Sequence, residues 1–236
     1  MIDLSNLITN SIETFNLTAI VKTGLCIGAG GSSGSLADKP VVRTADGKLL
    51  IPASQIKGRL RHECEKLARG LGWPVCQSPA AQTMCPQREG LTGNFNRDEY
   101  HLEQNYHCLI CQIFGNPALS SRLIFDDLIC EESPKNLKEV IRPVVTINRR
   151  RRIAEAEKLY YLETTPTNAK LEFSGQIHFL PDCPDQTKAL VLAGLKHINA
   201  LGGSKSAGLG WLDWEIDERL EVKEETWSKL VAESQA

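Results

Sequence analysis

A chain of 236 residues, 42% of them hydrophobic, can bury a full core as one large domain or as a domain with insertions, which excludes a disordered tail. A formal net charge of −2 and an isoelectric point of about 6.2 exclude indiscriminate nucleic-acid binding, so any basic function has to be local. Polar or charged residues interrupt every apolar stretch before membrane-spanning length, and residues 1–10 lack a basic start followed by an apolar run. A cytoplasmic protein without a membrane partner is expected, in which eight cysteines point to reduced thiols or metal ligation rather than a disulfide framework.

In chain order, Phe15, Leu17, Ala19 and Val21 alternate with polar neighbours, which predicts a half-buried strand running into a glycine-rich loop over residues 24–38. After Pro52, Ser54 is placed to cap a helix whose apolar residues Ile56, Leu60, Leu67 and Leu71 follow helical spacing, with Gly70 and Gly72 at its end. Lys57 and Arg61 then lie four apart on one face near its start. Residues 73–106, rich in Pro, Gln, Gly and Asn, read as an insertion held by something other than a core. SSRLIFDDLIC (residues 120–130) reads as one buried strand, and residues 141–162, with the unbroken run Arg149, Arg150, Arg151 and Arg152, as an exposed projection. Leu171, Phe173, Ile177 and Phe179 predict another strand. Leu190, Val191, Leu195 and Ile198 predict a helix over residues 187–201 that ends at Gly202 and Gly203, and Leu212, Trp214 and Ile216 a closing strand. Strand, helix, strand, strand, helix, strand is the ferredoxin-like or RNA-recognition-motif order, an α+β class that hosts many functions.

Cys76, Cys85, Cys108 and Cys111 carry the metal expectation. The last two form the knuckle CLIC, and a second pair from a coreless insertion would complete a tetrahedral structural zinc site. Cys64, His62, His101 and His107 are substitutes for any one ligand, and the alternative is a small apolar cluster of free thiols. Cys26, Cys130 and Cys183 stand isolated and read as core or surface thiols.

Two distant segments suit a polyanion. IPASQIKGRLR supplies Ser54, Lys57, Arg59 and Arg61 at a helix start, and LGGSKSAGLG supplies Gly202, Gly203, Ser204, Lys205 and Ser206. The glycine segment follows a helix and precedes a strand, which excludes both the Walker loop and the dinucleotide fingerprint and leaves a helix C-cap and turn as the competing reading. The arginine run suits phosphate and base contacts beside single-stranded RNA, or a solvated charged stretch. Asp126 and Asp127 read as turn residues or a metal holder, and His197 as a core histidine. No Ser/His/Asp arrangement stands out, and the five histidines sit in dissimilar contexts.

Four segments in this order, TGLCIGAG, LADKPVVRTADGKLLIPASQIKGRLRHECEKLAR, CLICQIFGNPALSSRLIFDDL and LKHINALGGSKSAGLGWLDWEI, resemble the RAMP superfamily, the repeat-associated RNA-binding proteins of CRISPR systems. More narrowly they look like the backbone subunit of type III effector complexes. The resemblance implies one domain over residues 1–236 with a ferredoxin-like palm, a metal-binding insertion over residues 73–111 and a thumb-like projection over residues 141–162. Such subunits stack with other subunits along a guide CRISPR RNA. It assigns guide contacts to Lys57 and to the glycine loop over residues 202–210. It also assigns cleavage of a complementary target RNA, with Mg2+ or another divalent metal, to Asp38 in LADKPVV. A non-cleaving filament subunit and a guide-processing RAMP endoribonuclease are the alternatives.

Overall fold

The alternation of the first strand organises the molecule. β1 (Glu13–Val21) buries Phe15, Leu17, Ala19 and Val21 on one side and turns Asn16 and Thr18 to the other. In the computed structural model, residues 11–28, 37–80, 83–85, 107–138, 140–167, 170–184, 186–220, 222, 226–228 and 231 are described. The expectations for residues 1–10, for residues 29–36 of the glycine-rich loop, for His101 and for most of the insertion lie outside them. After β1 come β2 (Leu50–Ile51), α1 (Ala53–Gly70), α2 (Leu109–Phe114), β3 (Leu123–Phe125) and β4 (Leu128–Cys130). The chain continues through β5 (Val140–Asn148), β6 (Ile153–Thr164), β7 (Leu171–Phe179), α3 (Thr187–His197) and β8 (Leu212–Ile216).

The result is a mixed α/β structure on an antiparallel sheet of order β2–β4–β7–β1–β8, with β3 also paired to β7. Register brings like faces together: Phe15 lies opposite Ile177, Ala19 opposite Phe173 and Val21 opposite Leu171. A slip of one residue would turn every one of these side chains to solvent. α1 contributes Ile56, Leu60, Cys64 and Ala68, a stripe at four-residue spacing, and α3 contributes Leu190, Val191 and Leu195 to the same core. Burying each large side chain contributes roughly 1.5–3 kcal/mol. The other sheet face is polar, with Thr18 hydrogen-bonded to Ser174 at 3.0 Å and Gln176 to Asn16 at 3.1 Å.

Three expectations change. The single strand over residues 120–130 is two, because Asp126 and Asp127 interrupt it. The Asp127 carboxylate leaves the sheet to accept the Ala53 amide at 2.7 Å, capping α1. Ser54 therefore does not cap. The N-cap position belongs to Pro52, whose side chain has no acceptor, and the cap comes from another element. α3 stops at His197, four residues early, because Leu201 donates to the Gly210 carbonyl at 2.9 Å and Ala200 bridges Trp211. Pairing with the approach to β8 outcompetes the helical pattern of Ile198 and Leu201.

The segment expected to project is the hairpin β5–β6, paired from Val140 with Thr164 to Asn148 with Ile153. The arginine run forms its turn, where the Arg151 amide donates to the Asn148 side chain at 3.0 Å. Its base is held firmly. Glu163, buried, accepts from Arg43 at 2.7 Å and from the Val41 amide at 2.9 Å, while Leu25 donates to the Thr165 hydroxyl at 2.8 Å.

Candidate nucleic-acid interface and metal centre

Cys108 precedes α2 and Cys111 sits one turn in, so the helical turn sets both thiols on one side. Cys76 and Cys85 arrive from the chain after α1, around a turn in which Met84 donates to the Ala80 carbonyl at 3.0 Å. All four are buried, and their sulfurs lie within 4.8 Å of one another. The Cys76 sulfur is 3.6 Å from Cys111 and 3.7 Å from Cys108, and the Cys108 amide donates to the Cys85 sulfur at 3.3 Å. A disulfide needs about 2.05 Å, whereas a tetrahedron of zinc–thiolate bonds of about 2.3 Å has edges of roughly 3.8 Å. The four thiols thus fit one tetrahedral metal ion such as zinc. Hydrogen bonding with Cys111, Cys76 and Cys85 lowers the Cys108 thiol, and the bond with Cys108 pushes Cys111 up.

The described substitute ligands lie elsewhere. Cys64 donates to the Leu190 carbonyl at 3.4 Å between α1 and α3, and burial pushes its thiol up. His107 faces the Asn116 amide at 3.0 Å, and His62 lines a cleft described next. Of the isolated cysteines, Cys26 and Cys130 are buried and Cys183 is half-buried, its thiol pushed up to about 11 by burial.

The N-terminal turns of α1 border two adjoining clefts. One, of about 690 Å³, is walled by Asp38, Lys39, Gln55, Tyr160 and Ser204; the other, of about 330 Å³, by Gly58, Arg59, His62, Gly202 and Lys205. Ser54 and Gln55 border both, which makes them one groove. Helical rotation of ~100° per residue places Ser54, Gln55, Gly58, Arg59 and His62 on this side of α1. Lys57 and Arg61 fall on the neighbouring side. Burial and the nearby Arg61 charge lower the Lys57 pKa. Arg61 donates to the Gly115 carbonyl at 2.7 Å and reaches the Cys111 sulfur at 3.6 Å.

The glycine loop is shaped by its backbone contacts. At Gly202, φ is +83° and a Cβ would stand 2.5 Å from the Cys26 carbonyl oxygen; at Gly210, φ is +72° and a Cβ would fall 1.8 Å from that of Leu201. No other residue fits either position. Gly203 donates to the Cys26 carbonyl at 2.8 Å, Lys205 reaches the Gly202 carbonyl at 3.2 Å, and Ser206 is exposed.

Asp38 is exposed at the groove, and its Oδ2 accepts the Tyr161 amide of the hairpin base at 2.7 Å. It is the one acid on the groove among the described residues, while Lys39 places its amine 5.4 Å from the Tyr160 ring centre. Two polar atoms on the wall, Gln55 Oε1 and Arg59 Nε, are buried with no partner among the described residues, although Arg59 also pairs with Glu63 at 2.8 Å. Such atoms cost about 1–3 kcal/mol each unless a ligand satisfies them. Arg149, Arg150 and Arg151 stand exposed at the hairpin turn, nine residues from Tyr160 at the nearest, or roughly 30 Å along a strand.

Gln55 and Tyr160 went unnoticed in the sequence. Gln55 had a signal, lying four residues before Arg59 on one helical face; Tyr160 had none, because only the fold brings the hairpin base beside residues 37–39. The family model described as RAMP superfamily matches residues 18–213. No curated protein matches the chain.

Proposed function

The chain belongs to the RAMP superfamily, and from that premise we propose that it is a guide-RNA-binding backbone subunit of a type III CRISPR effector complex. Membership itself points to CRISPR-associated RNA binding. The observation that carries the finer reading is the groove. Residues far apart in sequence, Asp38, Ser54, Arg59 and Lys205, border it, and buried polar atoms on its wall lack partners among the described residues. A guide backbone lying there meets Ser54, Arg59, Lys205 and the backbone of residues 202–206, with Lys57 at the rim. The order β4–β7–β1–β8, with α1 and α3 as the two crossovers, supports a ferredoxin-like palm. The hairpin serves as its thumb, carrying Arg149, Arg150 and Arg151 toward RNA or a neighbouring subunit. The four-thiol centre holds about one zinc ion per chain and orders the insertion.

In this reading Asp38 also takes part in cutting the target RNA. Among the described residues its Oδ1 has no partner, while Oδ2 is fixed by the Tyr161 amide, so the carboxylate is aimed rather than free. A divalent ion held by Asp38 would supply charge neutralisation at the scissile phosphate. Asp38 holds its charge at one point of the groove, Lys39 beside it offsets developing negative charge, and the groove orients the strand. A non-cleaving subunit is the second reading, favoured by the same hydrogen bond, since anchoring the hairpin is already a role for Asp38. Asp38→Asn separates the two, because Asn keeps an acceptor for Tyr161 and loses the charge. In assembled complex with labelled target RNA, Asp38→Asn is expected to bind target normally and lose Mg2+-dependent cleavage. Cleavage at the wild-type rate would remove Asp38 from the reaction and favour the non-cleaving reading, with the nuclease in another subunit.

A further inference from the structure

α1 contributes more than core residues to the four-thiol centre. Arg61, expected from sequence to meet phosphate, is 22% exposed and has its fork committed elsewhere. Its Nε donates to Glu65 at 3.1 Å, one Nη to the Gly115 carbonyl at 2.7 Å and the other to the Cys111 sulfur at 3.6 Å. Glu65, buried, also accepts the Ser78 hydroxyl at 3.1 Å and pairs with Arg69 at 3.6 Å, and Arg69 donates to the Cys76 carbonyl at 3.2 Å. Arg61, Glu65 and Arg69 recur every four residues, so one stripe of α1 grips both chain segments that supply the sulfurs.

We infer that Arg61 is a positioning residue of the metal centre, donating to the Cys111 thiolate and held in place by Glu65, rather than a phosphate contact. The inference rests on the four thiols binding a metal, as proposed above. Four thiolates around a divalent ion leave a net charge of about −2 in a buried place, where one guanidinium both offsets charge and fixes a sulfur lone pair. Arg suits this better than Lys, because its planar fork serves the carboxylate, the carbonyl and the sulfur at once. The contacts to Gly115 and Cys111 also fix α1 against the chain carrying Cys108 and Cys111, so the groove face and the metal centre share one rigid element.

The test uses the full chain loaded with Zn2+, then with Co2+ in its place. Competition against a chromophoric chelator measures affinity, and the thiolate-to-cobalt absorption reports sulfur donor strength. Arg61→Gln is expected to weaken Zn2+ binding by about tenfold or more and to move the cobalt band to lower energy, as loss of a donor to one thiolate requires. Arg61→Lys, which keeps the charge without the fork, is expected to fall between, and Glu65→Gln to shift both readings less than Arg61→Gln. Unchanged affinity and spectrum in Arg61→Gln and Arg61→Lys overturn this inference alone. A wild-type chain that takes up neither ion overturns it together with the metal reading.

Discussion

The two sides of α1 behave as opposites. On the cysteine side, Arg61 and Arg69 are committed to Glu65, to backbone carbonyls and to sulfur, and the thiols are buried against one another. On the groove side, Gln55 and Arg59 each keep a buried polar atom without a partner among the described residues, and the walls come from loops and a hairpin base. One face is satisfied from within the chain and the other calls for a ligand. A basic residue on a helix therefore announces nothing by its type. Its role is set by what the opposite element offers it.

The largest expected effect lies on the satisfied side. Cys111→Ser should lower the metal content from about one ion per chain to none and cost ~5 kcal/mol, because metal binding there is folding energy. Metal analysis and denaturant unfolding check it; an unchanged midpoint would erase the contrast between the two faces. Next comes the glycine loop, where Gly210→Ala brings a Cβ onto the Leu201 carbonyl in a left-handed backbone and should cost ~3 kcal/mol. A loop that tolerates it by unfolding measurements has to be shaped by something other than this contact.

Glu63 sharpens the comparison, since it holds Arg59 at the groove wall. Burial alone would raise its pKa, but His197 at 2.6 Å together with Lys66 and Arg59 holds it below the ordinary carboxylate value. Its contribution is complete above the unfolded value of about 4.3 and is lost as pH falls through the lower folded value. Glu63→Gln should cost ~2 kcal/mol at neutral pH, and the gap to wild type should close below that window. A gap that persists in acid would mean packing, not charge, is the contribution. The smallest effect belongs to the open side. Lys205→Ala is expected to weaken RNA binding a few-fold for every sequence and to reduce the salt slope by about 0.7, one phosphate on a single strand. Lys57→Ala tests the rim in the same titration, and an unaltered slope there would confine the guide to the groove.

Much of the framework was legible. β1, β7 and β8 announce themselves by alternation, because each has one face on the core, and α1 by its apolar stripe. The knuckle was readable because its two thiols are ordered by a single helical turn. The β3–β4 break and the early end of α3 were not, since both depend on partners outside the local pattern, Asp127 reaching Ala53 and Gly210 reaching Leu201. The hairpin was visible only as an exposed stretch, because its apolar residues Ile147, Ile153 and Leu159 stay in solvent and leave no burial pattern to read.

By itself the sequence determined which side chains of the main strands and helices enter the core and which four thiols were available to a metal. These follow from local periodicity and residue chemistry. Tertiary structure alone decided which cations were spent and which stayed open. Arg61 meets Gly115 at a separation of 54 residues, Ala53 meets Asp127 at 74, and Asp38 meets the Tyr161 amide at 123. Hydrogen bonds act over a few ångströms with strict direction, so a side chain's role is assigned only when the fold delivers its partner to that distance.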